Sequence, residues 1–373
     1  MRHAGISFIA LLLGLPSFAL ADLEGVNHAE VCGRCHRDIL KAWKESSHSR
    51  AMENPLFQDV LERAEQAGGA GARNLCLTCH APTVAHTGDR ALKTKASWEG
   101  VTCDYCHSVK AVEVQGDTAH AIVKFDGIKT GPLGDASAPQ HGTAFSDVHT
   151  SSLICAPCHQ YQNPEGFAVL TTYSEWEQSD QGRQGVNCQG CHMGETSANV
   201  VDPKVKRLTR STVNLHSMPG SRSVDQLNKA LRARVHTARS GDKLTVEVEL
   251  WNRGAGHMAP TGSPLRRLHL NVSVSAGGQT QEQEKVYQRR VAGSDGQELK
   301  SEELVFLKAS RTLDDTRLKP GEHRREIFGF SVAANQAARV RARLSYSYSP
   351  RASGPGSERL NFLSLPSYAP PVR

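Results

Sequence analysis

The chain has 373 residues, of which 38% are hydrophobic and 22% charged, with a formal net charge of +6 and a mean hydropathy of -0.44. That balance excludes a membrane bundle and a disordered chain, both of which need a more extreme composition, and it leaves room for two or three domains. Aromatic residues are thin at 6%, whereas ten cysteines and 17 histidines stand out.

The first element expected is a secretory signal peptide over residues 1–21. Arg2 and His3 start it, an apolar run from Ile6 to Leu15 follows, and Ala19-Leu20-Ala21 supplies a small-x-small cleavage site. The run is too short to span a bilayer and no later segment is apolar enough to do so, so the mature chain is expected to be exported, periplasmic and not membrane-spanning.

Next comes Cys32-Gly-Arg-Cys35-His36, followed by helical spacing from Asp38 to Ser47 and from Leu56 to Gln66. Further C-x-x-C-H segments are Cys76/Cys79-His80, Cys103/Cys106-His107, Cys155/Cys158-His159 and Cys188/Cys191-His192. Between the third and fourth, residues 110–150 are rich in Gly, Pro, Ala and Asp and read as loop. Residues 22–200 thus form one motif-bearing domain, and 201–228 read as a linker wrapping back over it.

From Lys229 the pattern turns to period two. Leu231–Val235, Leu244–Leu250, Leu268–Val274 and Val340–Leu344 alternate, and Leu304–Leu307 and Ile327–Val332 are further predicted strands. Residues 229–373 are therefore expected to form a cysteine-free, immunoglobulin-like β-sandwich. The overall class is α+β and multidomain, with a helix-and-loop domain preceding the sandwich.

Every cysteine belongs to a C-x-x-C pair, and each pair is followed by histidine. Zinc sites, redox dithiols and disulfides are rival readings of a single pair, but five that consume all the cysteine and each carry the histidine point to c-type haem attachment. Two thiols per motif add to the haem vinyl groups, and His36, His80, His107, His159 and His192 bind iron as proximal ligands. Five covalent haem c groups also supply the interior that the side chains lack. Their ten propionates offset the basic charge, so no nucleic-acid partner is inferred.

Residues 28–220 resemble the multihaem cytochromes grouped with cytochrome c-554. The matching stretches include Cys32–His36 with Trp43–His48, Asn74–Pro82, Glu99–Ser108, His149–His159, and Tyr173–Trp176 with Cys188–Met193. Asn252–Gly262 resembles part of a β-domain appended to some of these proteins. The resemblance implies closely packed haems that pass electrons; its usual members carry four haems, so five is a departure.

Eleven histidines remain for the second axial position once His3 and the proximal five are set aside. The resemblance places His48 and His216 as ligands. His141 and His149 lie in the Gly/Pro-rich loop, where histidine has little other use. His257 sits in Gly254-Ala-Gly-His-Met-Ala-Pro260, a turn whose glycines permit close approach to a haem face. His120 is the reserve, while His28, His236, His269 and His323 read as packing or surface residues. Met52, Met193, Met218 and Met258 are weaker candidates.

The expected function is electron transfer in anaerobic respiration. The partners would be redox proteins, either other cytochromes or a quinol-oxidising membrane complex. The alternative is an oxidoreductase acting on a small nitrogen or sulfur compound at one five-coordinate haem. All five motifs end in histidine and none in lysine, so nothing in the motifs marks such a haem.

Overall fold

The computed structural model describes residues 25–208, 210–351 and 353–372. The expected signal peptide lies outside the described residues. No helix among them is long and apolar enough to cross a membrane.

The first half is built of short pieces. Helices Ala29–Gly33 and Arg37–Lys44 flank the first motif, and the expected helix from Leu56 extends over Pro55–His80. Asn54 caps that helix by accepting from the Leu56 amide at 3.1 Å, and Pro55 pre-sets the first turn. At Gly69 the backbone takes φ 65° and ψ -159°, a conformation open in practice only to glycine, and the helix kinks there. Apolar packing is sparse. The largest cluster in this half is Met52, Phe57, Leu61, Leu77, Ala81 and Val84.

Residues 110–150 are not all loop. Val109–Gln115 pairs antiparallel with Thr118–Val123, and Ile128–Gly131 pairs parallel with Gly142–Phe145. The segment Val109-Lys-Ala-Val-Glu-Val is rich in β-branched residues, with a register shift between Val109 and Ala111, and Gly116 turns the chain at φ 58°. Composition averaged over forty residues hid this local pattern.

The second half contains two antiparallel sheets facing one core. One is ordered His323–Ser331, Lys243–Asn252, Leu231–Ser240; the other Gln279–Tyr287, Arg267–Ala276, Ala338–Ser347, Leu360–Ala369. Register places Leu244 opposite Phe330 and Val246 opposite Phe328 in the first sheet, and Leu270 opposite Leu344 in the second. These side chains meet across the sheets in the largest buried apolar cluster of the described residues. Period-two alternation directs them inward and leaves pairs such as Glu247–Arg325 outside. Gln279–Tyr287 escaped sequence reading because it is an edge strand with almost no apolar face. Leu270→Ala is expected to destabilise this unit by about 2–5 kcal/mol, measured by denaturant unfolding, because Leu270 is fully buried.

The predicted strand Leu304–Leu307 is instead the helix Glu302–Lys308. Glu302 and Glu303 occupy its first turn and Lys308 its last, matching the helix dipole, and Val305 packs inward. A four-residue apolar run does not distinguish the two states. Arg63 of the long helix reaches Glu303 at 3.2 Å, and Arg351 reaches Asp59 at 2.6 Å. Arg317 meets Glu175 at 2.8 Å with both side chains 7% exposed, so buried charge joins the two halves.

Candidate haem centres

Each motif sits on a short helical turn that brings its two thiols to one side and its histidine just beyond. Thr102 caps the Cys103–Cys106 turn by accepting from the Tyr105 amide. The second motif ends the Pro55–His80 helix, the fourth runs from the end of the 3-10 turn Ser152–Cys155 through Ala156–His159, and the fifth is Cys188–His192. In the first, a Cβ at Gly33 would stand 2.1 Å from a Leu40 methyl, so the turn packs directly against the next helix and a larger residue would displace the Leu40 side chain.

No disulfide joins any of the ten cysteines. Thiols of different motifs lie close enough to couple: Cys32 with Cys103, Cys79 with Cys158, and Cys155 with Cys188. The bond from Cys155 holds Cys188 down at about 7, against burial, while burial pushes Cys76 and Cys106 up to about 11. These contacts join the first motif to the third, and the fourth motif to both the second and the fifth.

Three of the five motif imidazoles are oriented by backbone carbonyls. The Nδ1 of His36 is 2.6 Å from the Val200 oxygen, that of His107 is 2.7 Å from Thr130, and that of His192 is 2.7 Å from Pro219. Nδ1–H donates in each case and Nε2 is left free, the arrangement that aims a ligating histidine. Sequence reading missed Val200, Thr130 and Pro219 because a backbone acceptor carries no residue-type signature. Pro219 does lie in the segment expected to wrap back over the motifs, and Val200 immediately precedes it. Asp202 extends that wrap, pairing with Arg37 at 2.9 Å.

Two imidazoles facing each other across one iron have ring centres about 6 Å apart, given metal–nitrogen bonds of about 2 Å. His36 and His141 lie 6.3 Å apart, His48 and His159 6.4 Å, and His192 and His257 6.3 Å. The Nδ1 of His141 bonds the Gly142 carbonyl and that of His257 the Met258 carbonyl, both at 2.9 Å. His48 places Nδ1 3.0 Å from the Met218 sulfur, and Met218 holds a left-handed φ of 42° to deliver it. Such strain costs about 1–3 kcal/mol and gathers at functional sites.

His107 has two neighbours. His149 stacks at 5.5 Å, but its Nε2 is taken by the Cys106 carbonyl at 2.9 Å and its buried Nδ1 has no partner. His216 bonds the Asn214 carbonyl through Nδ1 at 2.6 Å and feels the charges of His107 and His36. Burial pulls His80, His149 and His216 down to about 4 and His159 to about 3, keeping them neutral as ligation requires.

The five distal candidates do not distribute one to each proximal histidine. His80 stacks on Phe57 at 3.7 Å, and the histidine that acts on it, His48, is already paired with His159 at 6.4 Å. Arg266, from the loop before strand Arg267–Ala276, acts electrostatically on both His80 and His159. Glu302 beside it accepts from the Ser263 hydroxyl at 2.6 Å, and burial raises its carboxyl to about 7. Arg266 and Glu302 belong to the second half and gave no sequence signal.

Most of the remaining histidines have local partners. His120 is exposed on the hairpin, and His269 is buried against the Ser347 hydroxyl at 2.9 Å. His236 and His323 flank Glu249, each at 3.2 Å. His28, read as a surface residue, turns inward toward Glu99 at 4.0 Å.

The profile of the cytochrome c554 and c-prime family matches residues 31–108, the stretch holding the first three motifs. A penta-heme cytochrome c552 from Thermochromatium tepidum superposes with a TM-score of 0.74 at 21% identity, covering 92% of this chain and 99% of the other. The chain resembles the multihaem c-type cytochromes. The E. coli curli protein CsgC aligns with 38% of the chain at 12% identity and a TM-score of 0.18, too low to carry an argument. No curated protein matches the chain. For a cytochrome of this kind, the free thiol pairs, carbonyl-oriented imidazoles and ring spacings fit haem c.

Proposed function

We propose that this chain is an exported pentahaem c-type cytochrome that conducts electrons between redox partner proteins. The observation carrying this reading is the set of imidazole pairs at 6.3–6.4 Å, repeated at the first, fourth and fifth motifs. Bound haem c would supply one-electron chemistry at potentials tuned by axial ligand and burial. The protein's part is to anchor through ten cysteines, to aim Nε2 of His36, His80, His107, His159 and His192, and to close distal faces with His48, His141 and His257. His216, its Nε2 free, serves His107, with His149 as its rival. The signal peptide of residues 1–21 directs export to the periplasm, residues 22–200 hold the haems, and 229–373 form an immunoglobulin-like sandwich. The partner is another cytochrome or a quinol-oxidising membrane complex.

A second reading has one specific support: the unpaired His80 with Arg266 and Glu302 nearby. An open iron there, a guanidinium to hold an anion and a carboxyl protonated near neutrality are the parts needed to reduce a small nitrogen or sulfur oxyanion. Stopped-flow oxidation of the fully reduced protein separates the two. Conduction predicts slow oxidation by nitrite, hydroxylamine or tetrathionate and fast oxidation by a partner cytochrome. Fast, saturable oxidation by one of the small molecules establishes the reductase instead.

A further inference from the structure

The turn that carries His257 belongs to the second half, whereas His192 belongs to the first, so their 6.3 Å spacing depends on how the halves are joined. One carboxylate lies at that joint. Glu175, in the helix Thr172–Glu177, accepts through one oxygen from the Thr171 hydroxyl and the Arg317 guanidinium, each at 2.8 Å. Through the other it accepts from the Met258 amide at 3.1 Å and the Thr261 hydroxyl at 2.6 Å. Met258 and Thr261 bracket the end of the His257 turn. Thr172 adds a hydroxyl contact to Thr261 at 2.9 Å.

The charge suits the place. Burial opposes ionisation of Glu175, but Arg317 and the Thr261 and Thr171 hydroxyls outweigh it and hold the carboxyl below its usual range. Arg317 is in turn held by Asp315 at 2.8 Å. The backbone is fitted as closely. A Cβ at Gly256 would stand 3.1 Å from Gln181 and 3.3 Å from the Trp176 ring, so the turn lies directly against the segment that leads to the fifth motif. Asn252 fixes the other side by donating to the His257 carbonyl at 2.9 Å and the Leu318 carbonyl at 3.1 Å.

We propose that Glu175, paired with Arg317, is the positioning residue that sets His257 opposite His192 across the boundary between the two halves. The proposal rests on the axial role of His257 advanced above. Glu175 touches neither iron nor haem in this account. It acts by holding the turn at ligation distance, and its negative charge favours the oxidised state of the centre beside it.

The test uses the full holoprotein in four variants, read by ferric EPR, carbon monoxide binding and redox titration. His257→Ala must open one iron; if its spectrum is that of wild type, the axial reading fails and the proposal with it. Given that opening, Glu175→Ala is expected to show partial high-spin signal and carbon monoxide binding at that same haem, with the others unchanged. Glu175→Gln keeps one carbonyl acceptor, so ligation should persist while the midpoint of one haem shifts upward. Thr261→Val removes one arm of the clamp without leaving a buried charge unpaired, and should weaken ligation even if Glu175→Ala fails to fold. Wild-type spectra and midpoints in both Glu175→Gln and Thr261→Val, beside an open iron in His257→Ala, overturn the proposal.

Discussion

His257→Ala is expected to retain all five haems and to convert one of them from low-spin to high-spin, with new carbon monoxide binding at one site per chain. Attachment uses the thiols and the proximal imidazoles, none of which the substitution touches. The distal face opposite His192 loses the imidazole that stands 6.3 Å away, and His48, which is within electrostatic reach of His192, is already paired with His159. Met258, next in the chain, has its amide tied to Glu175, which keeps the turn from swinging a sulfur into place. Intact-mass spectrometry and ferric EPR measure the two parts separately. An unchanged spectrum makes His257 an ordinary turn residue whose Nδ1 bonds the Met258 carbonyl.

The second large effect concerns folding without haem. Chain produced where haem is not ligated is expected to lose the helical signal of residues 25–222 while residues 229–372 keep theirs as strand. Ordering a residue costs about 1–2 kcal/mol of backbone entropy, which buried apolar area must offset. The sheets of the second half bury Leu244, Val246, Val248, Leu268, Leu270, Val272, Phe328 and Leu344 in one cluster. The first half has six residues around Met52 and three around Ala156, far too little for its length. Circular dichroism of the haem-free chain and of the 229–373 fragment measures this directly. Full helicity in the haem-free chain would show that side chains alone hold the first half.

The sequence made the attachment residues plain because porphyrin chemistry imposes a fixed local spacing, and local spacing is what a sequence displays. It also displayed the alternating strands, since a half-buried strand writes its burial at every second residue, as in Leu244–Leu250. Glu302–Lys308 was misread because its apolar run is too short for a period to show. The hairpin at Val109–Val123 was hidden in a segment whose average composition is that of a loop. Long-range geometry was the least legible. His257 was suspected from its flanking glycines, and Gly256 does lie against Trp176, but the pairing with His192 depends on Glu175 and Arg317, 142 residues apart in the chain. That His80 shares its one histidine neighbour, His48, with His159 followed from nothing in the motif, because all five motifs end in the same residue.

Low-temperature EPR of the oxidised holoprotein, with spins counted against haem content, tests the central claim most directly. The account predicts five haems per chain, four of them low-spin with two histidine ligands and one, at the second motif, high-spin. Broad high-spin signal from several haems would contradict the imidazole pairs on which the conducting array rests, and a haem count below five would contradict the array itself.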